Sequence, residues 1–453
     1  MAGRNARGSP IAWGRTGAGI GGAFSGRRPH RTRRSRTSDR TRAPAMPVLT
    51  DIARLATCRA DGPQSDVHPI TDAALAWDGD TIRWVGPASE LPAPFGEWPR
   101  ESAGGRLVVP GLVDCHTHLP FGGWRGDEFA ERLAGVSYAE IARRGGGILS
   151  TRAATQRATE DELADRVVGF LDEMLRLGVT TAEAKSGYGL TLADEMKQLR
   201  AVRQADARSP ARLVPTLLAA HTVPAEYKPR RADYVRLVCD EIIPAAAADG
   251  LARFCDVFVE DTAFSLDEAR EVLEAGRAHG LRPKLHADQL SAGGGAELAA
   301  ELAAASADHL EHSSDAGIRA MAEAGVVAVS LPLASLYLRE PPMDARRWIE
   351  AGCAVAVATD FNPGSAPSYH LPMAMTLACT TQRMTPAEVL KGATLLAARA
   401  AGVDAEVGSL EAGKKADFAV IDAPDEAHWL YHLRPNACVR TVVAGSTVWT
   451  APR

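Results

Sequence analysis

Two histidines one residue apart, His116 and His118, end the apolar part of the stretch VVPGLVDCHTHLPFGG. In an extended strand, residues two apart point to the same side. Both imidazoles can therefore reach one ion while Thr117 faces away. Spacing alone leaves a metal site and a bland loop at even odds. Other strand-like runs end in similar chemistry: His221 after RLVPTLLAA, His286 in LRPKLHADQ, His309 in SADHLEH and Asp360 in CAVAVATDFNPG. Five of the twelve histidines thus stand at the end of such a run, where chance would scatter them over helices and loops. Three of them, His116, His118 and His286, together with Asp360, form a donor set that zinc or iron accepts, with an exchangeable position left for water. The fourth run ends in Val259, Glu260 and Asp261, with no lysine to bridge two ions, which favours a single ion.

Residues so far apart in sequence meet only if the chain brings its strand ends together. From residue 108 onward, short runs rich in β-branched residues alternate with helical stretches. The runs are RLVVPGLVDCHTH, GVTTAEAKSGYG, RLVPTLLAAHT, RFCDVFVED, LRPKLHADQ, SADHLEH, GVVAVSLP and CAVAVATDFNPG. The helices carry start and stop signals. SLDEAREVLEAGRAHG opens with a Ser265–Glu268 capping box and closes at Gly280, and DAGIRAMAEAG closes at Gly325. Eight strand–helix units make an α/β fold, either a (β/α)8 TIM-type barrel or a doubly wound open sheet. The count of eight, and the polar residues at the strand ends, favour the barrel, whose chemistry sits at the C-terminal ends of its strands.

Residues 108–404 are assigned to this barrel. Residues 46–107 and 405–453 carry short strand-like runs with Gly and Pro between them, among them TIRWVGP, KKADFAVID and CVRTVVAGSTVW. They read as a small β-sandwich domain built from both chain ends. Residues 1–45 carry eleven Arg and one acid, Asp39, against a net charge of −5 for all 453 residues, so the remainder is near −15. That head has too little apolar content to fold alone. It reads as a nucleic-acid tail, a transit peptide or a non-native upstream extension, and the domain-like start after Met46 favours the last. An acidic body and a lack of interleaved aromatics argue against nucleic acid. Seven scattered cysteines without CxxC spacing favour a reducing compartment. No apolar run approaches the ~20 residues a membrane span needs. The expectation is a cytoplasmic chain, with a homodimer as its assembly.

The motifs HTHLPFGGWRGDEF, KSGYGL, AHTVP, KLHADQ, SADHLEH and TDFNPGS resemble those of the imidazolonepropionase family of the amidohydrolase superfamily. The resemblance runs from about residue 47 to the C-terminus. HTH and the Asp of the eighth run mark the superfamily only, whereas FGGxR, KSGYGL and DFNPGS together are more specific. The resemblance implies metal ligands His116, His118, His286 and Asp360. It implies substrate contacts from Arg125, Tyr138, Tyr188, His221, Gln289, Asn362, Gly364 and Ser365. Gln289 stands where some members have Glu, and Trp124 where a small residue is expected.

The implied reaction is hydrolysis of the cyclic amide of 4-imidazolone-5-propanoate to N-formimidoyl-L-glutamate, a step of histidine degradation. A bound ion lowers the pKa of water towards ~7. Asp360 then accepts the water's proton and passes it to the departing ring nitrogen. His221 is expected to donate to the carbonyl oxygen, and His309 to orient the water and Asp360. Arg125 offers a planar fork for the carboxylate tail; its bland alternative is an ion pair with Asp127 or Glu128. Two other readings stay open: another enzyme on this scaffold, such as an aromatic-base deaminase or other cyclic amidase, and a non-enzymatic barrel.

Overall fold

The computed structural model describes residues 46–136, 140, 144 and 146–452. The basic head and Tyr138 lie outside the described residues. Four strands open the chain: β1 (Val48–Ala56), β2 (Pro69–Asp78), β3 (Thr81–Pro87) and β4 (Arg100–Pro110). Eight follow: β5 (Leu112–Asp114), β6 (Val179–Lys185), β7 (Arg212–Ala220), β8 (Phe254–Val259), β9 (Arg282–Ala287), β10 (Ser306–His309), β11 (Val327–Ser330) and β12 (Val355–Val357). Three more, β13 (Phe418–Ile421), β14 (Cys438–Val443) and β15 (Ser446–Thr450), end it.

Strands β5 to β12 are neighbours in chain order, each parallel to the next. These are the eight expected units. The ring closes just beyond β5 and β12. Asp360 N–H donates to the His116 carbonyl at 3.1 Å, and His118 N–H donates to the Phe361 carbonyl at 2.9 Å. The Asp114 carboxylate accepts from Thr359 N–H at 3.1 Å and from Thr359 Oγ1 at 2.6 Å. Closure and the assembly of HTH against TDF are therefore one event.

The helices between the strands begin where their sequences dictate. Glu160–Arg176 has a full capping box from Thr159 and Glu162, and Leu266–Ala278 has the expected one from Ser265 and Glu268. The helix Asp315–Ala324 is capped by Ser314 and ends at Gly325 in the left-handed region.

Two expectations need correction. The run RLVVPGLVDCHTH is not one strand. Its first part is β4, in the other sheet, so residues 108–110 leave the barrel. The chain changes sheets at Gly111, where a Cβ would stand 2.2 Å from Thr180 Oγ1. Second, the β-domain from both chain ends is one seven-stranded sheet, β15-β14-β13-β4-β1-β2-β3, rather than two stacked ones. Register shifts in most of its pairings let it curl around its own core. Trp77 of β2 thereby meets Phe418 of β13 at 5.2 Å between rings and donates to the Gly445 carbonyl at 3.0 Å.

All seven cysteines are unpaired. Among the described residues no helix is long and apolar enough to cross a membrane.

Asp114→Asn leaves one oxygen for two Thr359 donors. It is expected to cost about 1–3 kcal/mol of stability, read as a lowered denaturation midpoint. An unchanged midpoint would remove this contact from barrel closure.

Candidate metal centre

The loops that zip together after β5 and β12 bring three candidate ligand side chains into one space, and β9 adds a fourth. His116 Nε2 and His118 Nε2 each stand 3.3 Å from Asp360 Oδ1. His286, near the end of β9, brings its Nε2 to 3.5 Å from His118 Nε2. His116, His118 and His286 form one group able to hold an ion, and His116, His309 and Asp360 form another that shares His116. All five residues are buried. Asp360 and His309 both have positive φ, 55° and 82°, a costly backbone state for such residues.

A metal ion fits this donor set. His116 Nε2 is buried with no hydrogen-bond partner, and two imidazole Nε2 atoms face each other. Such atoms need either water or a cation between them. Three imidazoles and one carboxylate suit a borderline ion.

The other expected residues surround this cluster. Tyr188 is buried with its ring 5.9 Å from that of His118 and 5.3 Å from that of His221. Gln289 is half-buried on the loop leaving β9. Arg125 pairs with Glu128 at 2.9 Å, as its bland reading expected. Its guanidinium also lies flush against Gly364, where a Cβ would stand 2.1 Å from Nη1. Only glycine lets that cation seat on the loop carrying Asp360. Asn362 is committed to the loop itself. Its Oδ1 accepts from Gly364 N–H and Ser365 N–H, each at 2.8 Å, and its Nδ2 donates to the Asp360 carbonyl at 2.6 Å. Ser365 Oγ stands 3.5 Å from Asp360 Oδ2. Trp124 is 53% exposed and packs against Phe121 at 5.1 Å between rings.

A sequence profile of the amidohydrolase family matches residues 107–448. The imidazolonepropionase of Symbiobacterium thermophilum is 49% identical over 388 residues, 84% of this chain and 91% of that protein. The imidazolonepropionase of Pseudomonas aeruginosa is 49% identical over 377 residues, 82% and 93% of the two chains. Among solved structures, an adenosine deaminase from Xanthomonas campestris with bound zinc superposes with a TM-score of 0.67 at 19% identity, covering 89% of this chain and 93% of that one. That likeness is one of fold.

The chain belongs to the amidohydrolase family.

Members of this family bind a metal, and in this amidohydrolase the floor of the candidate site explains how its imidazoles are aimed. His116 Nδ1 donates to Asp308 Oδ2 at 2.6 Å, and His286 Nδ1 donates to Asp256 Oδ1 at 3.1 Å. In each ring this leaves Nε2 for the ion. Sequence reasoning missed both carboxylates. The signal was a lone charge inside an apolar strand, as in FCDVFV and SADH.

The split of roles between two other histidines changes. His221 Nδ1 lies 3.1 Å from the Gly187 carbonyl, which can only accept. The neutral ring therefore has its proton on Nδ1, and Nε2 is an acceptor. Burial, with the neighbouring His118 charge, pushes this imidazole down to about 3, so the protonated donor form is disfavoured. The expected donation from His221 to a carbonyl oxygen conflicts with this tautomer. His309 Nδ1 is buried without a partner, 3.9 Å from Glu311 Oε1.

Burial and the Lys185 charge oppose protonation of His116, but Asp308 and Asp360 outweigh them and raise the ion-free imidazole to about 9. Below that pH, metal entry must displace a proton. Zinc affinity is therefore expected to rise with pH, by about tenfold per unit, and to level off near pH 9. Calorimetric titrations in buffers of different ionisation enthalpy read the released proton. A pH-independent affinity with no release would contradict this electrostatic picture.

Proposed function

We propose that this amidohydrolase cleaves the ring carbon–nitrogen bond of 4-imidazolone-5-propanoate, giving N-formimidoyl-L-glutamate. The reaction class is supported by relatives at 49% identity that carry the name imidazolonepropionase. The observation that carries the substrate is Arg125 seated on Gly364, in the loop that starts at the candidate ligand Asp360. A planar guanidinium there matches the propionate tail with two parallel hydrogen bonds. Aromatic bases have no such tail.

The residues His116, His118, His286 and Asp360 would hold one zinc or iron ion. When bound, such an ion acidifies a water near neutral pH. Hydrolysis adds the water's oxygen to the ring carbonyl carbon and breaks its bond to nitrogen. Burial opposes ionisation of Asp360, but the His116 and His118 imidazoles beside it hold its carboxyl well below the ordinary range. It is thus a carboxylate able to take the water's proton and return it to the departing nitrogen. His221 Nε2, as an acceptor, suits a ring N–H of the substrate. His309, beside Asp360, is the imidazole left to face the carbonyl oxygen. Tyr188, whose ring lies beside those of His118 and His221, and Gln289 on the loop after β9 would add further polar contacts. Seven unpaired thiols suit a reducing compartment, and we assign the enzyme to the cytoplasm.

Purified enzyme is expected to turn over imidazolone-propionate and not guanine or cytosine; the reverse preference would overturn the proposal. Asp360→Asn should abolish turnover in folded, metal-verified protein, and near-normal turnover would sink the proton-transfer role. Arg125→Ala and Gly364→Ala should each raise KM at least about tenfold with metal content unchanged. An unchanged KM in both would remove Arg125 from the tail site.

A further inference from the structure

Five charged side chains are sealed inside the barrel with no exposure at all: Glu183, Lys185, Asp256, Lys284 and Asp308. Two of these, Asp256 and Asp308, aim His286 and His116. Lys185 reaches both. Its Nζ donates to Asp256 Oδ2 at 2.7 Å and stands 3.6 Å from Asp308 Oδ2. It also donates to Glu183 Oε1 at 2.9 Å.

Lys284 looks similar but does a different job. Its Nζ donates to the same Glu183 oxygen at 2.9 Å and to the Cys115 carbonyl at 3.1 Å. It stands 3.9 Å from Asp308 and has no contact with Asp256 among the described ion pairs. Asp308 has a further donor, Ser306 Oγ, at 2.6 Å. Among the described residues, Asp256 has only Lys185 and His286. A buried carboxylate deprived of its cation turns towards any other donor, and the imidazole it aims turns with it.

We infer that Lys185 is the positioning residue of the metal centre. It fixes Asp256 and Asp308 in one arrangement and so aims His286 and His116 at the same point. The ion's two histidine arms, from opposite parts of the barrel, are coupled through one ammonium. This inference rests on the metal-centre reading above.

The test is zinc affinity, measured by competition with a chromophoric chelator, together with the visible spectrum of the cobalt-substituted protein. Lys185→Met keeps the volume and removes the charge. In protein verified as folded by circular dichroism, it should weaken zinc binding by about 10–100-fold and shift the cobalt bands. Lys284→Met should weaken it less and leave the bands in place. Because Lys185 acts through Asp256, the double variant Lys185→Met/Asp256→Asn should bind zinc about as well as Asp256→Asn alone. Unchanged affinity and spectrum in Lys185→Met, equal losses in the two lysine variants, or fully additive losses in the double variant would each overturn the inference. If Lys185→Met does not fold, Lys185→Gln carries the same test, with a smaller loss expected and none overturning it. His116→Ala separates the two levels. Lost zinc binding there with an unaffected Lys185→Met defeats only the role of Lys185, whereas retained binding defeats the metal centre itself.

Discussion

An imidazole has two nitrogens, and it presents one to an ion dependably only when something holds the other. Here the holding group is a carboxylate buried in the barrel, Asp308 for His116 and Asp256 for His286. Much of the molecule follows from that constraint. Two naked carboxylates cannot be buried, so the barrel interior also carries Lys185 and Lys284. Burial works against the charge of Lys185, yet the surrounding carboxylates hold its ammonium protonated well above its ordinary value. The centre of this barrel is therefore a charge lattice, not the branched apolar packing common in such folds. His118 is held differently, by its backbone bond to Phe361 across the barrel seam. The seam and the site are the same contacts.

The floor and the rim do different work. The floor aims a set of candidate ligands that other chemistries can also use, and the fold alone is shared with an adenosine deaminase. The rim carries what selects a substrate. Arg125 seats on Gly364, Tyr188 leans over His118 and His221, and Asn362 spends its amide shaping the loop beneath Arg125. A side-chain methyl at position 364 would disturb the cation without touching a ligand.

The strands and the residues of the candidate metal cluster were legible in the sequence because both leave local marks. Strand ends carry His or Asp after apolar runs, and helices carry their caps. What stayed hidden depends on pairings across long separations. His116 and Asp308 are 192 residues apart, and Lys185 and Asp256 are 71 apart. No local pattern marks them as partners. The division of RLVVPGLVDCHTH between two sheets was equally invisible, since both halves are apolar and extended. Only the close approach of Thr180 to Gly111 tells them apart. The tautomer of His221 hangs on the carbonyl of Gly187, 34 residues away. The hydrogen bonds by which Asn362 shapes its own loop are not marked in TDFNPGS either.

In the proposed site one ion, held by His116, His118, His286 and Asp360, would be required for hydrolysis of a carboxylate-tailed cyclic amide. Stripping the protein with a chelator and restoring metal stepwise, while following turnover of imidazolone-propionate, tests it most directly. Turnover should be absent without metal and rise linearly to a plateau at one ion per chain. Full turnover in metal-free protein, or a plateau reached only at two ions per chain, would contradict it.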